Sequence, residues 1–208
     1  MESAALPLPP LELLPPERRS RVQAALSRAK AHDLAWAWLL LRHAFASLGF
    51  DEAQLTACRR TASGKPVLPD GAPHFSLSHS DGWVACAVSG TQPVGLDIQA
   101  CRRIPARFYA PYLTSGDLAA TPDEPKALCR LWARKEAVLK WLGTGWTTEA
   151  KRSLSVLASA QTLNGVAVAI CDQWVAPDVC VALCAPTDAQ PDIHSISPKE
   201  ARDFYRID

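Results

Sequence analysis

The sequence predicts an α+β fold made of two similar halves with antiparallel sheets, a pseudo-dimer within one chain. Three observations carry that expectation. A long helical stretch at 17–48 precedes two short alternating strands; a strand, helices and further strands follow in the same style; and the turn Gly90–Pro93 separates the two series. At 208 residues, 48% of them hydrophobic, the chain can bury a good core as one large domain or two small ones. The halves are expected at 1–91 and 92–208, although no sequence repeat proves their likeness.

In order, residues 1–16 hold five prolines and read as an extended surface lead-in. The helical pattern from Glu17 to Leu48 reads as two helices meeting near Lys30–Asp33, the second apolar and capped by Gly49. Residues 51–73 read as irregular, with turn chemistry at Ser63–Pro66 and Pro69–Gly71. Strands at 74–80 and 83–89 flank Asp81-Gly82 and predict a hairpin. Beyond Gly90–Pro93 comes a short strand, 94–98, and then a basic, aromatic segment around 102–113. The stretch 131–140 lacks Pro and Gly and reads as helix, closed by Gly143-Thr-Gly145. Trp132, Glu136 and Lys140 recur every four residues, which places them on one face. Leu128, Leu131, Val138 and Leu142 form a neighbouring packing stripe. Strands at 153–158, 166–171 and 179–184 complete the second sheet.

Composition excludes several classes. Lys plus Arg number 22 against 21 Asp plus Glu, a net charge of +1, so nothing favours nucleic-acid binding. The seven cysteines form no Cys-x-x-Cys pair and read as reduced thiols. The longest strongly apolar run, Ala35–Leu41, is far short of the ~20 residues that span a bilayer, and the proline-broken start is no signal peptide, so a cytoplasmic location is expected.

Three motifs then stand together: FSLSHS at 75–80, VGLDIQ at 94–99 and WARKEAVLK at 132–140. With Gly64-Lys65-Pro66 ahead of them and Gly143-Thr-Gly145 behind, they resemble the 4′-phosphopantetheinyl transferases of the surfactin-synthetase-activating (Sfp) type, over roughly Glu17 to Gly145. The resemblance implies a monomer of two α+β halves, with Mg²⁺ as metal and coenzyme A as co-substrate. It implies transfer of phosphopantetheine to a serine of an acyl or peptidyl carrier protein, with release of 3′,5′-ADP. Asp97 and Glu136 match the family's metal ligands, which suits the preference of Mg²⁺ for carboxylate and phosphate oxygens. Lys140, His79 and Ser78 match contacts to the diphosphate, and Lys65, Arg18 and Arg21 match positions that hold the 3′-phosphate. Glu136, or a metal-bound water, would take the proton from the carrier serine.

Gln99 departs from the pattern, standing where many relatives carry a third acidic ligand; its amide oxygen or a water would take that place. Carrier proteins of this family are acidic, so Arg103 and Arg107, with Phe108, Tyr109 and Tyr112, are the expected docking residues. A non-catalytic coenzyme A or carrier-binding relative, or a Mg²⁺-dependent diphosphate hydrolase, are the competing readings.

Overall fold

The computed structural model describes residues 1–102, 105–145 and 153–206. Helix α1 is Pro16–Gln23 and α2 is Arg28–Ser47. They part at 24–27, earlier than Lys30–Asp33, because the Ser27 hydroxyl accepts the Lys30 backbone N–H at 3.1 Å and so caps α2. Trp36, Trp38, Leu39, Leu41 and Phe45 of α2 fill the first core, and Gly49 ends the helix at φ 75°. The lead-in does not simply lie on the surface. Leu6 and Leu14 enter this core, and the Ser3 N–H bonds the Gly82 carbonyl at 2.6 Å.

The stretch 51–73 is not wholly irregular. A 3₁₀ turn, Glu52–Ala57, precedes two short paired strands, β1 (Arg59–Arg60) and β2 (Pro66–Val67). Strands β3 (His74–Ser80) and β4 (Trp83–Ser89) form the expected antiparallel hairpin. Its turn residues Asp81 and Gly82 have φ 48° and 78°, the left-handed pair that a two-residue hairpin demands.

The second core lies between α4 (Pro125–Leu142) and a four-stranded antiparallel sheet. The strands are β5 (Gly95–Ala100), β6 (Ala160–Leu163), β7 (Val166–Ala176) and β8 (Val179–Pro186), in the order β5-β8-β7-β6. A short helix, α3 (Ser115–Ala119), carries a capping box of Thr114 and Asp117. The α+β class with antiparallel sheets is therefore borne out, and one strand moves. Residues 154–158 are not a strand, because buried side chains take their backbone groups. Lys135 donates to the Leu154 carbonyl, and Asp117 accepts from the Ser155 hydroxyl and the Val156 N–H. Arg134 takes the carbonyls of Val156, Leu157 and Ala158. The ladder begins only at Ala160.

The last helix, Pro198–Tyr205, returns to the first core, where the Tyr205 hydroxyl donates to the Leu39 carbonyl. All seven cysteines are free thiols; Cys129, Cys180 and Cys184 are buried and Cys171 is exposed. No helix among the described residues is long and apolar enough to cross a membrane.

Candidate functional site

The site forms on a seam where β5 runs along α4. Between Leu131 and Leu139 the helix is buried except at Trp132 and Glu136, and Lys140 continues their line one turn on. The sequence period of four thus marks the open stripe of an otherwise enclosed helix. Gly95 lies against Ala137 and Trp141, while the Cys129 thiol donates to the Gln99 carbonyl at 3.5 Å. β5 and α4 therefore run in opposite directions, and Asp97 meets the stripe at Lys140.

Asp97 is 4% exposed. Its Oδ1 accepts from the Ser78 hydroxyl and the Lys140 ammonium, each at 2.7 Å, and Lys140 also reaches Ser78 Oγ at 2.8 Å. Its Oδ2 is buried and has no hydrogen-bond partner among the described residues. An ionised oxygen left unpaired in a dry place is costly, and a bound cation removes the cost. The donor set thus fits a hard divalent ion at Asp97, with Glu136 on the same seam. Among the described residues, no three of His, Cys, Asp or Glu group to hold a metal. Gln99 is half-buried; its amide nitrogen donates to the Ala100 carbonyl at 3.1 Å.

Two clefts open beside the seam. One, of about 230 Å³, is lined by Lys65, Ser76, Leu77, Glu136 and Lys140. Lys65 donates to the Lys140 carbonyl and the Ser63 hydroxyl to that of Gly143, so the Gly-Lys-Pro loop clips the end of α4. Burial pushes the Lys65 ammonium below its ordinary pKa. The other cleft, of about 450 Å³, is lined by His79, Gln99, Phe108, Tyr109 and Trp132 among others. The His79 imidazole is pushed down to about 4, by burial first and then by Lys30 and Lys140.

The remaining expected residues are spread more widely. The Arg18 guanidinium lies 4.1 Å over the Trp38 ring, donates to Cys58 Sγ at 3.5 Å and is buried. Arg21 is half-buried in the last turn of α1. Tyr109 and Tyr112 set their edges on Trp132, with centroids 5.5 and 5.6 Å away, and Tyr109 is buried there. Phe108 is exposed, with Arg107 stacked 5.1 Å from its ring, and Arg103 lies outside the described residues. Arg102, in the same basic segment, is tied by both arms of its fork to Asp81.

Sequence reasoning overlooked Lys30, whose ammonium is 2.9 Å from His79 Nε2, and Asp33, whose Oδ2 is 3.7 Å from Nδ1. The signal was present: with Ser27 recognised as the cap, Lys30 falls in the first helical turn, facing β3.

A buried carboxylate on a strand, met by a helix lysine beside two clefts, is a place for phosphate chemistry on an α+β frame. Residues 93–177 match the sequence model of the 4′-phosphopantetheinyl transferase superfamily. A 4′-phosphopantetheinyl transferase of Bacillus subtilis is 33% identical over 138 residues, 62% of this chain and 60% of that protein. The 4′-phosphopantetheinyl transferase Sfp of Bacillus subtilis (strain 168) is 30% identical over 65% of this chain and 62% of its own length. HetI, a 4′-phosphopantetheinyl transferase of Nostoc sp. (strain PCC 7120), is 36% identical over 39% of each chain. The chain spans about six-tenths of the length of the two Bacillus proteins. Over these spans the chain is similar to 4′-phosphopantetheinyl transferases, Sfp among them, which is the likeness that the three motifs carry.

Proposed function

We propose that the chain transfers 4′-phosphopantetheine from coenzyme A to a serine of an apo acyl or peptidyl carrier protein, as a Mg²⁺-dependent holo-carrier-protein synthase. The observation that carries this reading is Asp97, with one oxygen gripped by Ser78 and Lys140 and the other buried on the α4 seam without a partner among the described residues. The names of the relatives agree with it.

Asp97 and Glu136 would hold Mg²⁺, with Gln99 or a water beside them, and the ion would neutralise charge on the diphosphate oxygens. Lys140 and Ser78 orient the diphosphate, and the resemblance adds His79 beside them; Lys65, Arg18 and Arg21 serve the 3′-phosphate. Glu136, directly or through a water, takes the proton of the carrier serine. The serine oxygen then bonds to the β-phosphorus, its bond to the bridging oxygen breaks, and 3′,5′-ADP leaves. Arg103, Arg107, Phe108, Tyr109 and Tyr112 meet the acidic carrier, with Arg107 and Phe108 the most outward of those described. The two-half organisation at 1–91 and 92–208, a monomer in the cytoplasm, belongs to the same reading.

Mass spectrometry of an apo carrier incubated with the protein, Mg²⁺ and coenzyme A tests it. A carrier heavier by one phosphopantetheine is expected. In Asp97→Asn the rate should fall by at least about a hundredfold, because charge on the diphosphate is no longer balanced. Coenzyme A cleaved without carrier modification would mean a hydrolase; coenzyme A bound and left intact would mean the non-catalytic relative that the neutral Gln99 favours.

A further inference from the structure

The corner between the start of α2 and the end of β3 holds a cation that the reading above does not use. Lys30 stands in the first turn of α2 with Arg28, and no acidic residue accompanies them there. Cations oppose the helix dipole at this end, so the placement asks for an anion. The Lys30 ammonium lies 2.9 Å from His79 Nε2. An ammonium has no lone pair to offer, so Nε2 must accept and the neutral ring carries its hydrogen on Nδ1, towards Asp33 Oδ2 at 3.7 Å. Asp33 is itself buried and receives the Ser3 hydroxyl at 3.3 Å.

With Nε2 engaged and Nδ1 turned inward, His79 keeps no N–H for an anion outside. Lys30 is exposed and spends one of its three N–H groups on the ring. Among the described residues its hydrogen-bond partner is a neutral imidazole, whereas Lys140 meets Asp97 and Arg102 meets Asp81 directly. We propose that Lys30 delivers the positive charge to a phosphate of coenzyme A at this corner, and that His79 is a positioning residue that holds the ammonium in place. This rests on the transferase reading and moves to Lys30 the phosphate contact that the resemblance gives to His79.

Calorimetry of coenzyme A binding to the full chain tests it. A charge-assisted contact to phosphate corresponds to a loss of at least about tenfold in Lys30→Ala. Lys30→Arg should bind within about threefold of the original chain, because its fork keeps the charge. Both should melt at the original temperature, since the side chain is exposed. The double variant Lys30→Ala/His79→Ala should bind no more weakly than Lys30→Ala, because the ring acts through the ammonium. With 3′-dephospho-coenzyme A, a vanished penalty assigns the contact to the 3′-phosphate and a persistent one assigns it to the diphosphate. Unchanged binding in Lys30→Ala overturns the proposal, as does a full additive loss from His79→Ala. An original chain that fails to bind coenzyme A would instead sink the transferase reading.

Discussion

One carboxylate oxygen of Asp97 has two donors and the other has none among the described residues, which shows how unevenly polar partners are shared out along the seam. His79 shows the same economy in protons. Its folded pKa of about 4 lies below the ordinary 6.5, so between those values the unfolded chain takes up a proton that the folded chain refuses. Stability is therefore whole above pH 6.5 and drains away as the pH falls towards 4, by at most about 3 kcal/mol. His79→Gln keeps an acceptor for Lys30 without a titrating ring. Urea midpoints at pH 7 and pH 4.5 should show a smaller acid loss in that variant; equal losses would contradict the assignment. At this scale the helix period set Glu136 and Lys140 on one face, whereas Asp97 was singled out only through the likeness of its motif. Lys30 and Asp33 were not legible, because placing the helix break at 30–33 instead of at Ser27 dissolved the turn that carries them.

At the scale of elements, α4 and β5 are held together by the absence of a side chain. A Cβ on Gly95 would overlap the Ala137 carbonyl and the Trp141 amide, and would sit 2.9 Å from Trp141 Cα. Backbone cannot yield as a flexible side-chain tip can. Gly95→Ala should therefore cost about 2 kcal/mol or more and carry Lys140 away from Asp97. A urea titration beside a turnover assay would register both effects, and a fully stable, active variant would refute the close approach. The stripe of α4 was legible from sequence because the 3.6-residue repeat runs unbroken from 125 to 142. The strand expected at 153–158 was not excluded by its own residues. What unmakes it is Arg134, Lys135 and Asp117, far off in sequence and buried without apolar character.

Across the whole molecule, serine side chains stitch the first hairpin to the second sheet. Ser76 Oγ and Ser80 Oγ accept the backbone N–H groups of Leu96 and Ala100 at 3.0 Å each, and Ser78 reaches Asp97 between them. Strands β3 and β5 thus travel in the same direction, joined by hydroxyls in place of a backbone ladder. Ser76→Ala and Ser80→Ala should each destabilise by about 1 kcal/mol, near-additively, through an orphaned N–H. Chemical denaturation reads this out; no change in either variant would mean that water replaces the hydroxyl without loss. The alternation in FSLSHS was visible beforehand, but its serine face passes for a wet one until the partner strand is known.

The chain also crosses its own midpoint twice, since its closing helix settles on Leu39 and His43 after the second sheet is complete. Severing the protein between residues 91 and 92 would accordingly not release two self-sufficient pieces. The leading fragment would lose that cover, and the trailing one would carry a charged, amphipathic helix whose Ala201 and Tyr205 had nowhere to rest.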